Sequence, residues 1–243
     1  MLAKKTTIHT SRTIMFKELE QVMDHGAERD DYFNLFADNV AGKKTRSNID
    51  KTNKYLQQLY SFDRNDAAFR GFKYFWELAG GDQKAILALL FAVNRDYLLS
   101  ESVEIIEKTQ PGEKVSVEIF ENNLDRYHPG RYTSKTKRSV AQNLASSWKK
   151  AGFIEGKIKN IRRIPKIGFL HVAFAMFLSY INGDRGEFVM QSLPIKALAS
   201  TERKIRDMAF EAAKRDLLEY QYSGELTSIS FNKLLKKLKI DAI

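Results

Sequence analysis

Residues Ser134–Gly156 read SKTKRSVAQNLASSWKKAGFIEG, and this stretch carries the clearest structural signal in the chain. Its apolar residues recur at three- and four-residue intervals, which is the spacing of one face of an α-helix. We therefore predict a helix from Lys135 to about Lys150. Ser134 is placed to cap its start, and Gly152 is placed to end it. The predicted inward face consists of Val140, Ala141, Leu144, Ala145 and Trp148.

The opposite face of this predicted helix is polar, and every residue on it can donate a hydrogen bond. Lysine, arginine and hydroxyl groups contact phosphates, whereas glutamine, asparagine, arginine and lysine also read base edges in a major groove. Both kinds of side chain occur on this face, so it predicts contact with DNA. Its members are Lys135, Ser139, Gln142, Asn143, Ser146 and Lys150, with Ser134 at the start and Arg138 and Lys149 at the margins.

A small β-hairpin is predicted directly after the helix. Phe153-Ile154 supplies the first strand, and Lys157–Ile164 (KIKNIRRI) supplies a basic turn and a returning strand. Helix, strand, basic turn and strand, preceded by a supporting helix over Ser116–Tyr127, follow the order of a winged helix-turn-helix. The hairpin would be the wing. It would lay four cations along phosphates, namely Lys157, Lys159, Arg162 and Arg163.

Positive charge is concentrated in this part of the chain. The segment from Arg131 to Lys166 holds eleven lysines and arginines against one acid, Glu155, while the net charge of the whole chain is +10. Such a focused field attracts a polyanion, and Arg131 joins the predicted DNA contacts. The segment begins directly after Pro129-Gly130, a strong boundary signal. The alternative is an ordinary solvated helix followed by a basic loop.

A second, weaker basic cluster lies in the region from Asp31 to Tyr60. Two predicted helices flank Ala41-Gly42-Lys43, an arrangement that could form another helix-turn-helix. The cluster is either a second DNA contact or an ordinary solvated helix. Its candidate residues are Lys43, Lys44, Arg46, Ser47, Lys51 and Lys54.

The chain as a whole predicts an all-α fold with a small β-hairpin wing. The sequence divides into an N-terminal helical region with a possible helix-turn-helix (1–62), a central helical region (63–129), and a winged-helix-like basic region with C-terminal helices (130–243). Phe169–Ile181 and Thr201–Tyr222 predict helices. The alternation from Leu226 to Phe231 gives a weak strand signal that could pair with Leu218–Tyr222 or with another edge. The aromatic residues between Phe69 and Trp76 have helical spacing, which favours core packing over a base-stacking platform.

Several classes of function are disfavoured by what the sequence does not contain. It has no cysteine, and its four histidines show no metal-ligand spacing. It has no HExxH, GxxxxGKS/T or GxSxG motif. We therefore predict that the protein is not an enzyme and binds neither a metal ion nor a cofactor. The opening MLAKKTTIHTSRT lacks the apolar core of a signal peptide, and no apolar run reaches the length of a membrane span. These features predict a cytoplasmic protein without a membrane partner.

Four stretches together resemble the BrxA family, a small helical component of BREX anti-phage defence systems. They are SRTIMFKELEQVM (Ser11–Met23), NVAGKKTRSNIDKTNKYLQQLY (Asn39–Tyr60), ALLFAVNRDYLL (Ala88–Leu99) and the segment Ser134–Gly156 quoted above. The resemblance implies a helical protein related in shape to the antitermination factor NusB, with winged-helix character. It also implies double-stranded DNA binding and a non-enzymatic role beside a methyltransferase, an ATPase and a phosphatase-like protein.

Three functional hypotheses follow. The first is a double-stranded DNA-binding protein that works with other defence-system proteins. The second is an assembly subunit whose basic face docks an acidic protein surface without touching DNA. The third is a NusB-like RNA-binding protein, although the sequence offers no exposed aromatic pair for stacking unpaired bases.

Overall fold

The computed structural model describes residues 6–29, 31–32, 34–37, 39–156 and 159–241. Over these residues the fold is predominantly helical with two small antiparallel hairpins, which confirms the helical class. The helices are α1 (Phe16–Arg29), α2 (Arg46–Tyr60), α3 (Ala67–Leu78), α4 (Gly81–Arg95), α5 (Tyr97–Glu101), α6 (Val103–Lys108), α7 (Val117–Tyr127), α8 (Ser134–Lys150), α9 (Phe169–Ile181), α10 (Glu187–Met190), α11 (Leu193–Lys196), α12 (Glu202–Ala213) and α13 (Asn232–Lys237), with a 3-10 turn at Leu35–Ala37. The strands are β1 (Ile154–Glu155), β2 (Ile161–Arg162), β3 (Glu219–Tyr222) and β4 (Thr227–Ser230).

Helix α9 lies at the centre of the core. Every residue from Leu170 to Tyr180 is buried, and α3, α4, α11 and α12 pack around it. A helix that is apolar on all sides is stable only where neighbours cover its whole circumference. The structure confirms this helix at the predicted boundaries.

Four aromatic residues of α3, namely Phe69, Phe72, Phe75 and Trp76, are buried in the core as predicted, while Tyr74 is half-buried; Phe72 and Phe75 pack against α9. The ring centroids of Phe72 and Phe75 lie 5.8 and 5.3 Å from that of Phe174. The two helices approach so closely that a Cβ on Gly71 would lie 2.1 Å from the ring of Phe177. Glycine at this position therefore sets the distance between α3 and α9.

The C-terminal hairpin corrects one predicted helix. The helix expected over Thr201–Tyr222 ends at Ala213, and the chain then forms β3, which pairs with β4 as the weak strand signal suggested. Arg206 on α12 anchors this hairpin because its guanidinium donates to the hydroxyl oxygens of Tyr220 and Thr227, at 3.1 and 3.0 Å.

Helices α7 and α8 pack against each other, and the hairpin β1–β2 follows α8. The two strands pair Ile154 with Arg162. On its other side β2 is joined to the residues that precede α7, because the Arg162 N–H donates to the Glu113 carbonyl oxygen at 2.8 Å and the Val115 N–H donates to that of Asn160 at 2.8 Å. The hairpin is therefore joined to the segment that precedes α7 as well as to the end of α8.

Buried apolar side chains from Ile8 to Leu235 form one continuous cluster with members in all three predicted regions. The division of the chain at residues 62 and 129 stays a prediction. What the cluster does establish is that the basic helix α8 shares its core with distant parts of the sequence.

Candidate nucleic-acid interface

The N-terminal half of α8 presents a polar, positively charged surface to solvent. The helix begins one residue earlier than predicted, because Thr133, not Ser134, accepts the capping hydrogen bond, from the Thr136 N–H at 3.3 Å. The first turn contains no acid, so no side chain of that turn offsets the positive end of the helix dipole. Five predicted contact residues on this half are exposed: Ser134, Lys135, Arg138, Ser139 and Gln142.

The other side of α8 is buried as predicted. Val140, Ala141, Leu144, Ala145 and Trp148 are all buried, and the Trp148 indole donates to the Ser102 hydroxyl at 2.8 Å. At the edge of the interface with α7, Arg138 pairs with Glu121 at 3.3 Å. The exposed half of the helix is thus held on a rigid support.

The C-terminal half of α8 is only partly available, which corrects the predicted outward face. The half-buried Asn143 donates from Nδ2 to the His9 carbonyl oxygen at 2.9 Å. Lys150 donates from Nζ to the Thr13 hydroxyl at 2.6 Å. Ser146 is half-buried. The reason is that the N-terminal strap (residues 6–15) lies against this part of the helix.

Lys149 holds the wing and does not point freely into solvent. Its Nζ donates to the Gly156 carbonyl oxygen at 2.7 Å and to Asn160 Oδ1 at 2.8 Å. Gly156 has φ +108°, and a Cβ there would lie 2.0 Å from the Lys159 carbonyl oxygen, so the turn requires glycine. The Lys149 ammonium group, which was predicted to contact DNA, therefore connects this turn to α8.

Two of the four predicted wing cations are exposed. Lys159 makes no ion pair within the described part of the chain, and Arg163 pairs with Glu155 at 2.6 Å. Lys157 lies outside the described residues.

Arg162 is buried, which contradicts its predicted place on the phosphate-facing side of the wing. Only 2% of its surface is exposed, and its guanidinium donates to the carbonyl oxygens of Ile106, Phe153 and Arg163. Burial lowers the pKa of Arg162. This side chain ties the wing to α6 and cannot reach a phosphate.

Arg131 lies in the turn between α7 and α8 and is exposed. Its guanidinium carbon is 5.7 Å from the Tyr97 ring centroid and 5.5 Å from that of Tyr132. These aromatic contacts orient the side chain beside the start of α8.

The second basic cluster lies on and before α2. Arg46 pairs with Asp50 at 3.1 Å, and Lys43 pairs with Glu18 at 2.8 Å. The exposed members without an ion pair in the described residues are Lys44, Lys51 and Lys54, with Ser47 exposed beside them.

Comparisons of the chain with protein-family models, with curated proteins and with solved structures found no match. The resemblance to the BrxA family therefore stays a prediction. Within the described ranges, no helix is long and apolar enough to cross a membrane, and no group of three or more His, Asp or Glu side chains could hold a metal ion.

One polar cluster was missed by the sequence reasoning. His9 Nδ1 lies 2.8 Å from Asp96 Oδ2, and His9 Nε2 lies 2.9 Å from the Ser147 hydroxyl oxygen. The order Ser–His–Asp is that of a hydrolase triad, yet all three residues are buried. The Ser147 oxygen also accepts from the Ile14 N–H at 3.0 Å and lies 2.9 Å from the Asn143 carbonyl oxygen.

This cluster fastens the N-terminal strap and offers no reaction site, because no substrate can reach the buried Ser147 hydroxyl. Burial raises the pKa of Asp96, but the charge and hydrogen bond of His9 and the N–H groups of Ile8 and Leu99 outweigh it and lower the pKa. No local pattern in the sequence could have revealed the cluster, since its members are 87 and 51 residues apart.

Proposed function

We propose that the chain is a non-enzymatic double-stranded DNA-binding protein. The exposed N-terminal half of α8 lies in or across a groove, and the hairpin β1–β2 follows the phosphate backbone. The observation that carries the proposal is the exposed set of cations and hydrogen-bond donors on a helix whose opposite side is fully packed. Recognition helices of helix-turn-helix proteins contact bases through their N-terminal residues, and this is the half that the strap leaves uncovered.

The order of elements supports a winged-helix interpretation of this unit. A strand-like segment at residues 113–115 pairs with β2, and is followed by α7, α8, β1 and β2. In this interpretation α8 is the recognition helix, α7 is its support, and the hairpin β1–β2 is the wing. The NusB-like shape implied by the family resemblance belongs to the same proposal.

The resemblance to the BrxA family supplies the biological setting. We place the protein in a BREX-type anti-phage system in the cytoplasm, where it works beside other defence-system proteins. The chain would contribute DNA binding, and its partners would contribute the chemistry.

Phosphate contacts dominate the proposed affinity. If Arg131, Lys135, Arg138, Lys159 and Arg163 each neutralise one phosphate, log affinity falls with log salt at a slope of about −4.5 on duplex DNA. Gln142 is the one exposed amide side chain among the predicted base-reading residues of α8, so sequence preference is expected to be weak.

The test is a gel-shift series with duplex DNA, single-stranded DNA and structured RNA at two salt concentrations. We expect duplex DNA to bind best. The variant Lys135→Ala/Arg138→Ala/Gln142→Ala should lose about tenfold or more in duplex affinity, since each phosphate or base contact contributes on the order of 1 kcal/mol.

A matched control removes three exposed side chains from the C-terminal region, in the variant Arg203→Ala/Lys204→Ala/Lys236→Ala. It should bind duplex DNA like the unmodified chain. Equal binding by both variants would refute the assignment to α8. Preferential binding of RNA would favour the NusB-like alternative, and no binding to any nucleic acid would favour the protein-docking alternative.

A further inference from the structure

The N-terminal strap contacts both helices that carry the basic clusters, α8 and α2, although these helices are far apart in the sequence. On one side, α8 contacts the strap through Asn143, Ser147 and Lys150, with hydrogen bonds of 2.6 to 3.0 Å. On the other side, α2 donates from Gln58 Nε2 to the Thr7 carbonyl oxygen at 3.1 Å and from the Tyr60 hydroxyl to that of Ile14 at 2.6 Å. The strap, which turns at residues 9–11, therefore lies between α8 and α2.

Consecutive strap residues contact the two helices. The guanidinium carbon of Arg12 lies 5.3 Å from the ring centroid of Tyr55 on α2. The next residue, Thr13, accepts the hydrogen bond from Lys150 at the end of α8. Arg12 is half-exposed, so a cation of the strap lies at the surface between the two clusters.

Glu18 on α1 lies near lysines of both clusters. Its carboxylate accepts from Lys43 Nζ at 2.8 Å. Burial raises the pKa of Glu18, but the hydrogen bond from Lys43 and the charges of Lys43 and Lys150 outweigh it and lower the pKa. The Glu18 carboxylate therefore interacts electrostatically with one lysine from each cluster.

We propose that the two clusters form one continuous duplex-binding surface, in which Arg12 contacts a phosphate between those held by α8 and those held by α2. This inference rests on the proposed function. It differs from two independent DNA contacts because a single duplex has to cross α8, the strap and α2 in turn.

The geometry sets the length of DNA required. Two helices that each pack against the strap lie roughly 20 Å apart, about twice the spacing of roughly 10 Å between directly packed helices. At roughly 3.4 Å per base pair, reaching from α8 to α2 takes about six base pairs beyond the site at α8. A duplex of about 12 base pairs can occupy α8 and the wing, whereas one of about 30 base pairs can cover the whole surface.

The experiment measures the affinity of the full chain for both duplexes. In the variant Arg12→Ala/Lys51→Ala/Lys54→Ala, affinity for the long duplex should fall about tenfold, while affinity for the short duplex should stay within about twofold. The control Arg203→Ala/Lys204→Ala/Lys236→Ala removes the same charge from another region and should change neither. Circular dichroism melting of each variant checks that the fold is kept.

A second variant tests the same surface by a change that should increase affinity for DNA. Glu18→Gln removes the negative charge between the clusters but keeps an acceptor for Lys43, so affinity for the long duplex should rise about two- to fivefold. A fall or no change would count against the continuous surface.

The outcomes separate this inference from the proposed function. If the unmodified chain binds neither duplex, both fail. If it binds both duplexes and the strap variant weakens them equally, or not at all, DNA binding by α8 stands and the continuous surface is overturned.

Discussion

The two halves of α8 carry the same kinds of side chain and have different roles. In the N-terminal half, Lys135 and Gln142 are exposed. In the C-terminal half, Asn143, Lys149 and Lys150 donate to the strap and to the wing turn. The comparison shows that an amphipathic pattern identifies which side of a helix is polar, whereas the use of each polar group depends on what the rest of the chain places beside it.

The difference between the two halves of α8 results from a buried polar cluster that holds the strap against the C-terminal half. His9, Asp96 and Ser147 connect the strap to α8 and to the start of α5 through buried hydrogen bonds. A buried charged group is costly unless its partners are present, so this cluster fixes the strap in one position. The strap contacts α8 at Asn143, Ser147 and Lys150, so it leaves the N-terminal half of the helix exposed.

The largest effect is expected from removing the Asp96 carboxylate, which holds the strap against α8. Asp96→Ala should lower the free energy of unfolding by about 3 to 5 kcal/mol, because it leaves buried donors without their acceptor. For a chain of this length the melting temperature should fall by about 6 to 20 °C. Thermal or urea denaturation measures the effect.

Lys135→Ala is the matched control on the exposed half. It should leave the free energy of unfolding within about 0.5 kcal/mol of that of the unmodified chain, since surface substitutions away from caps and cores rarely matter more. A large loss with Lys135→Ala, or a small one with Asp96→Ala, would contradict the division of α8 into an exposed and an anchored half.

Acid should weaken the anchored half without any substitution. The folded state holds the pKa of Asp96 below its ordinary value, so Asp96 contributes stability that is present above roughly pH 4 and is lost as the pH falls through the folded-state pKa. Asp96→Asn should flatten this acid limb. Denaturant midpoints measured from pH 7 to pH 3 on both chains would show it, and parallel curves would argue against the role of Asp96.

Much of the fold could be predicted because its signals are local. The buried stripe of α8 and the limits of α9 follow from spacing along the chain, whereas β3 lies where a helix was predicted. The candidate site was only partly predictable. Thr13 and His9 reach Lys150 and Asn143 across more than 130 residues, and no periodicity reports such a contact.

Arg162 shows how a local rule can fail. Alternation along KIKNIRRI suggests apolar residues inside and cations outside, but the register pairs Arg162 with the buried Ile154 and pairs Ile161 with the exposed Glu155. Opposite residues of an antiparallel pair share one face of the sheet, so Arg162 points inward. Its guanidinium is accommodated there because nearby carbonyl oxygens accept its hydrogen bonds.

A smaller effect is expected at the wing turn. Gly156→Ala should destabilise the protein by about 1 to 3 kcal/mol, because it adds a clash with the Lys159 carbonyl oxygen to an unfavourable positive φ. Gly112→Ala is the matched control, since Gly112 has φ +93° and open space around it. Denaturation of both variants separates the two costs, and equal losses would show that the clash is relieved by movement of the turn.

The smallest predicted effect concerns the start of α8. Thr133 has extended backbone angles, its hydroxyl accepts from the Thr136 N–H, and its carbonyl oxygen accepts from the Lys137 N–H at 2.8 Å. The helical ladder therefore starts at Thr133, and Ser134 is already inside it. Thr133→Ala should lower the free energy of unfolding by about 1 kcal/mol, and Ser134→Ala should change it little. The reverse order would move the cap to Ser134 and take its hydroxyl away from the surface proposed to face DNA, so this small difference in stability also decides whether Ser134 is free to contact a phosphate.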